Sequence, residues 1–393
     1  MLNSCWRAIL GLVLLLALPA TAAGPRPLPP RPGAATPQFA FWYEDWHENT
    51  WDKLQPANAI VGVPPKAVAD IHAHGGRALV YVTFYQAVVG REFLHDSADL
   101  EIVGFHAPNG FLPSAFGGKD NYVLCSNSAE LRRRILAYID RTIGAEGYDG
   151  LFVDNSYLDP AAGLVCDAKH GHVAPGSKGG AAYIDLMSEV YAAVKKRNPA
   201  AIILSNPGNP RWAGQLQKAD KTLWEVSDFV LWESYGFTSL VGNGHDRWQA
   251  TIAQSKDISS TPHAQKLLAL AYPRDAKEAL YSFVMARIFG FGFAANLGES
   301  AYQSNREGGH FGLFLRDLPV ALGDPTSAPQ EPAPGVMTRR FSQGEAAVNT
   351  GSQPWSFKAS RNSVLYSSAE ASEVRAGKPV VVSPGTAVAL LYR

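Results

Sequence analysis

Apolar residues in this chain gather in short continuous runs. Eight of them have the length of buried strands: FAFWYE (39–44), NAIVGV (58–63), RALVYVTF (77–84), GLFVDN (150–155), AIILSN (201–206), FVLWES (229–234), KLLALAY (266–272) and GFAANL (292–297). Stretches with apolar residues at helical spacing lie between them. SAELRRRILAYIDRTIGAEG (128–147) opens on a capping Ser128, carries Glu130 in its first turn and stops at Gly147. AAYIDLMSEVYAAVKKR (181–197) and KEALYSFVMARIFG (277–290) share that periodicity. Strands that are apolar throughout, each followed by a crossover, predict a parallel sheet covered by helices. Eight such units in one α/β body predict a closed (β/α)8 TIM barrel. An open doubly wound sheet would carry a glycine-rich phosphate loop after its first strand. Here DWHENTW follows instead.

The pattern changes towards the C-terminus. GDPTSAPQEPAPG (323–335) has too little apolar content to bury a core and reads as a linker. Beyond it, RRFSQGEAAVNTGSQPWSFKAS alternates, and KPVVVSPGTAVALLYR places two β-rich runs around a Pro-Gly turn. The expected organisation is therefore a barrel over 39–322 and a small antiparallel, β-sandwich-like domain over 336–393. At the N-terminus, Arg7, the apolar run AILGLVLLLAL and Ala20-Thr21-Ala22 form a secretory signal peptide pattern over 1–22. A proline-rich lead-in (23–38) follows. The apolar run is too short to span a bilayer comfortably. A secreted or periplasmic protein is expected, with no membrane span after cleavage.

Charge narrows the partners. The net charge is zero, so neither nucleic acid nor an anionic membrane is attracted over a distance. No G-x-S-x-G elbow and no phosphate-cradling loop occurs, and no cofactor is expected. Nine tryptophans and fifteen tyrosines supply rings that can stack on sugar faces.

In a barrel, the C-terminal ends of the strands form the face where chemistry sits. Several of the eight runs close in polar residues: Glu44, Asp154-Asn155, Asn206, Glu233 and Asn296. Side chains alternate along a strand, so Asp154 shares a face with Phe152, and Glu233 with Leu231 and Phe229. With those faces pointing inward, two carboxylates from strands four and six meet at the mouth. Such a pair serves glycoside hydrolysis, one group ionised to attack and the other protonated for the leaving oxygen. The expected catalytic residues are Asp154 and Glu233. Trp42, Tyr43, Glu44, Tyr85, Asn155, Asn206, Tyr235 and Asn296 are expected to bind a carbohydrate substrate. Asp149, at the opposite end of its strand, is expected to be structural.

GYDGLFVDN (147–155), with FVLWESYG closing strand six, resembles glycoside hydrolase family 114, the endo-α-1,4-polygalactosaminidases and related glycosidases. That family's strand-four motif reads roughly GFDGhFhDN, and Tyr148 stands here for the more usual Phe. The chain is more loosely similar to the α-galactosidase clan. The resemblance implies a galactosaminide or galactoside substrate, with Asp154 as nucleophile and Glu233 as acid/base in a retaining mechanism. The alternative is a carbohydrate-binding protein on a barrel without catalysis.

Cys125 and Cys166 remain after signal removal, and an even pair in an oxidising compartment predicts a disulfide. Cys166, His170 and His172 could ligate zinc in principle, but their spacing matches no recurring zinc motif, so no metal is expected. The long stretches 85–120 and 156–178 lack periodicity and are expected to shape the substrate cleft.

Overall fold

The computed structural model of the protein describes residues 39–42, 46–47, 50–51, 58–114, 120–157, 161–233, 235, 244–271, 276–296, 322–367 and 371–393. The expected signal peptide and proline-rich lead-in, together with Tyr43 and Glu44, lie outside these residues.

All eight apolar runs form strands of one closed, all-parallel barrel. They are β1 (Phe39–Phe41), β2 (Ala59–Val61), β3 (Arg77–Val82), β4 (Gly150–Val153), β5 (Ile202–Ser205), β6 (Phe229–Trp232), β7 (Leu267–Ala271) and β8 (Gly292–Asn296). Each strand pairs with its neighbours in sequence, and β1 pairs with β8 to close the ring. Most of the strands are shorter at the C-terminal end than their apolar runs, because the closing polar residues leave the ladder and turn to the mouth.

Alternation divides the core into two shells. Phe39, Phe41, Val61, Leu79, Phe152, Leu204, Leu231 and Leu268 fill the barrel interior, with Phe229 packed against them. The intervening Ala40, Ile60, Leu151, Val153, Ile203, Val230 and Trp232 belong to the outer core beneath the helices. Those helices are α1 (Val68–Ala73), α2 (Ala129–Ile139), α3 (Gly179–Arg197), α4 (Pro210–Gln215), α5 (Gly244–Ser259) and α6 (Ala276–Phe289). Ser128 caps α2 as expected, its Oγ accepting from the Leu131 N–H at 3.2 Å. A wide π-type turn over Asp140–Ala145 extends α2 toward Gly147, whose φ of 77° ends it.

The first half of the GYDGLFVDN motif is structural. The Tyr148 hydroxyl donates to the Val63 carbonyl at 2.8 Å. Asp149 Oδ2 accepts from the Ala78 N–H at 2.9 Å and faces His72 Nε2 at 2.7 Å. Gly150 is required by close approach, since a Cβ there would meet the Ile202 carbonyl oxygen of β5 at 2.1 Å.

The C-terminal part holds β9 (Gln330–Ala333), β10 (Val336–Phe341), β11 (Gly344–Asn349), β12 (Trp355–Lys358), β13 (Ser363–Tyr366), β14 (Ala371–Val374), β15 (Pro379–Val382) and β16 (Thr386–Tyr392). Six of them form an antiparallel sheet in the order β9-β10-β11-β16-β13-β14, and β12 pairs with β15. Gln330–Ala333, placed in a linker by its composition, is thus an edge strand. Its Pro332 is tolerated there because an edge leaves one row of backbone groups unpaired. Ala347, Val388 and Leu390 pack on Val380 and Val382 of the second sheet. On the other face Met337, Phe341, Ala346, Val348 and Ala389 join the outer barrel core. Arg339 Nη1 donates to the Ile288 carbonyl at 2.7 Å, and Arg287 Nη2 to that of Gly323 at 2.8 Å. The barrel and the sheet domain therefore share one apolar core through α6.

Candidate active site

The inward register of β4, β5 and β6 carries Asp154, Asn206 and Glu233 to the C-terminal mouth. Each is held by its own backbone. Asp154 N–H donates to the Val82 carbonyl at 2.8 Å, Asn206 N–H to that of Val153 at 2.8 Å, and Glu233 N–H to that of Gly208 at 2.9 Å. Gly208, with φ of 76°, shapes the turn that delivers this last carbonyl.

One amide nitrogen bridges the two acids. Asn206 Nδ2 donates to Asp154 Oδ1 at 2.7 Å and to Glu233 Oε2 at 2.9 Å. Two bonds through one atom limit the separation of those oxygens to their sum, 5.6 Å. With the two amide protons about 120° apart the separation of those two oxygens is ~5 Å. The Asn206 side-chain oxygen, Oδ1, accepts from the Gly208 N–H at 2.8 Å. The side chain is buried and its donors and acceptor are engaged within the protein. Asn206, expected to bind sugar, instead fixes the distance between the carboxylates.

Asp154 has further donors. The Tyr81 hydroxyl donates to its Oδ2 at 2.5 Å, and Asn155 Nδ2 to the same oxygen at 3.3 Å. Asn155 has φ of 52°, a left-handed conformation that Asn tolerates better than most residues. Burial raises the Asp154 carboxyl above its ordinary value. The Tyr81 and Asn206 hydrogen bonds act against that rise, and the nearby Glu233 charge adds to it. Tyr81 is 41% exposed, but desolvation of its hydroxyl, with the Asp154 charge beside it, pushes that hydroxyl up, so it stays a donor throughout the neutral range. The sequence reading missed Tyr81. The alternation that places Leu79 in the interior also aims Tyr81 inward and would have found it.

Several expected substrate residues are packed away. Trp42 is two residues on from Ala40, on the outward register of β1, and both lie in the outer core, where Trp42 meets Trp46 edge-on. Tyr85 is buried in the same shell. Tyr235 has no exposed surface; its ring meets Trp232 and Phe291, and its hydroxyl lies 3.3 Å from Ser255 Oγ. Trp42 and Tyr235 fill space between barrel and helices, whereas the buried Tyr85 ring lies 6.4 Å from that of Tyr157. Asn155 stays at the site, bonded to Asp154 rather than placed as a separate sugar contact. Asn296 ends β8, and its side chain, like Tyr43 and Glu44, lies outside the described residues.

A different aromatic surface is present. Tyr157, three residues beyond Asp154, lies 5.0 Å from the ring of Trp212 on α4, and Trp212 is 41% exposed. Trp212 was not singled out in the sequence because it belongs to a helix after β5 rather than to a strand end.

Cys125 and Cys166, expected to form a disulfide, are both free thiols and both buried. With His170 and His172 they form a cluster whose ligand atoms all lie within 4.8 Å of one another. A disulfide needs its sulfurs at ~2.05 Å, and here the two histidines converge on the same point. No described helix is long and apolar enough to cross a membrane.

No family model matches the sequence, and no curated protein matches it. Solved structures do match in fold. A pullulanase from Anoxybacillus sp., complexed with maltotriose, superimposes with a TM-score of 0.56 at 10% identity, over 92% of this chain and 70% of that one. A debranching enzyme from Nostoc punctiforme gives 0.53 at 12% identity over 91% and 98%. An α-amylase from Geobacillus thermoleovorans, complexed with acarbose, gives 0.51 at 12% identity over 92% and 99%. The chain is a (β/α)8 barrel followed by a C-terminal β domain, and its likeness to these structures is one of fold.

Proposed function

We propose that the protein is an exported glycoside hydrolase acting on a poly- or oligosaccharide by a retaining, two-carboxylate mechanism. The observation that carries this is the single Asn206 amide between Asp154 and Glu233 at the barrel mouth. Asp154 attacks the anomeric carbon while Glu233 gives its proton to the departing glycosidic oxygen. The glycosyl–Asp154 ester is then opened by water, whose proton returns to Glu233. Tyr81 and Asn206 hold the Asp154 carboxylate in one orientation, and the Asn206 bond leaves a lone pair on Oδ1 for the attack. Tyr157 and Trp212 offer a stacking surface for a sugar ring beside the pair. The GYDGLFVDN motif supports a galactosaminide or galactoside polymer as substrate, by its resemblance to family 114. The signal pattern over 1–22 supports export.

The test is reducing-end release from amino-sugar and galactoside polymers by the wild type and by Asp154→Asn, with the anomer of the first product read by NMR. Release that retains configuration in the wild type and is abolished in the variant is the expected result. Wild-type rates in Asp154→Asn would sink the assignment. Binding without release in the wild type would favour a non-catalytic carbohydrate-binding barrel.

A further inference from the structure

The strongest unassigned feature is the thiol–imidazole cluster. It joins two loops at the face where the acid pair sits. Cys125 lies at the end of the long insertion that follows β3, three residues before the cap of α2. Cys166, His170 and His172 lie in the loop after β4. Backbone pairing already fixes these segments to each other. Ala129 N–H donates to the Gly171 carbonyl at 3.0 Å, and Val173 N–H to that of Asn127 at 2.9 Å. The Asn127 side chain completes the seam, bonding the Ala174 carbonyl at 2.7 Å and the Ala174 N–H at 2.8 Å.

We propose that Cys125, Cys166, His170 and His172 form a tetrahedral Zn2+ site that staples the insertion after β3 to the loop after β4.

Four observations carry it. The donor set is two sulfurs and two imidazole nitrogens, a combination used by structural zinc sites. Zinc bonds of 2.0–2.3 Å at tetrahedral angles put donors roughly 3.3–3.8 Å apart. Here all lie within 4.8 Å, with Cys166 Sγ 4.0 Å from His170 Nε2, so side-chain shifts of about an ångström close the shell. His170 Nδ1 faces the Glu101 carbonyl at 3.3 Å, which fixes the tautomer that leaves Nε2 as a ligand. The His106 N–H donates to Cys166 Sγ at 3.4 Å, as backbone amides do to metal thiolates. Lastly, His172 Nε2 is buried with no hydrogen-bond partner among the described residues, a state that costs free energy unless another ligand takes its lone pair or proton.

The spacing Cys-x3-His-x-His from 166 to 172, with Cys125 some forty residues upstream, is not a recurring local motif. The tertiary fold brings the fourth ligand.

The full chain, purified without chelator, should hold about one zinc per molecule by mass spectrometry of the metal. Cobalt reconstitution should give a thiolate-to-metal charge-transfer band and the intense visible bands of a tetrahedral site. Cys166→Ser and His172→Ala should each weaken binding by more than about 100-fold, the upper end of what losing a mere outer-shell partner costs. Should those variants fail to fold, alkylation of the wild type supplies the reading. Zinc should protect Cys125 and Cys166 together, and a mercurial thiol reagent should release the metal stoichiometrically. Equal alkylation rates with and without equimolar zinc would overturn the proposal. An intact mass short by two hydrogens, mapped to a Cys125–Cys166 disulfide, would overturn it as well. None of these readings depends on sugar cleavage.

Discussion

Two constellations stand at the same face of the barrel, and they are built differently. Asp154, Asn206 and Glu233 each extend a strand by one residue, and the ladder sets their directions. Cys125, Cys166, His170 and His172 sit on loops, and their convergence depends on how two insertions fold over the rim. A strand end is a local fact with a known periodicity. A loop position is known only when the chain that closes on it is known. The acids could therefore be read two strands apart from sequence, while the thiols were paired with each other and the imidazoles left out.

Substitutions can break or sharpen this contrast. The largest effect should come from the acids. Asp154→Asn and Glu233→Gln should each lower kcat by about 10²–10⁴-fold or more, the range attached to a positioned acid or base. Stability should move the other way for Asp154. Its carboxyl is raised by burial, so the stability it contributes is present below the ordinary aspartate range and lost as pH rises through the raised value. Asp154→Asn should thus unfold at an equal or higher temperature than the wild type at neutral pH, measured by thermal scanning. A lower Tm would mean that Asp154 serves the fold.

Asn206→Ala comes next. It removes the group that sets the carboxylate spacing, and a misplacement of about 1 Å costs roughly 10²-fold. The loss should appear in kcat with KM little changed, in steady-state kinetics. A selective rise in KM would instead restore Asn206 as a sugar ligand.

Tyr81→Phe should cost about 10- to 100-fold, the worth of a hydrogen bond to a charged group. It should also move the acidic limb of the kcat/KM profile. The Tyr81 hydrogen bond lowers the Asp154 value, so its removal raises that value and shifts the limb to higher pH. An unshifted limb would separate Tyr81 from the ionisation of Asp154.

Trp212→Ala should raise KM by about tenfold or less at constant kcat, the signature of binding shared by ground and transition states. Asp149→Asn gives the opposite control at the far end of β4. It should lower stability by about 1–3 kcal/mol through the weakened Ala78 and His72 contacts, with activity per folded molecule unchanged.

The eight strands were legible because parallel strands covered on both faces must be apolar throughout. The same alternation made Asp154 and Glu233 legible, since Phe152, Leu231 and Phe229 fix the inward register. It failed for Trp42 through application rather than principle, because Ala40 and Trp42 share the outward face. Tyr235 lies beyond the strand, where alternation no longer speaks. The edge strand Gln330–Ala333 was hidden by its prolines and polar residues, which an edge admits and a central strand does not.

Order along the chain determined the barrel, its mouth and the two acids, because each follows from the period of one strand and from burial on both of its faces. Only the tertiary structure decided that one amide would hold those acids about 5 Å apart. It alone gathered two thiols and two imidazoles from two loops, because distances between segments forty or more residues apart are set by packing and not by any local period.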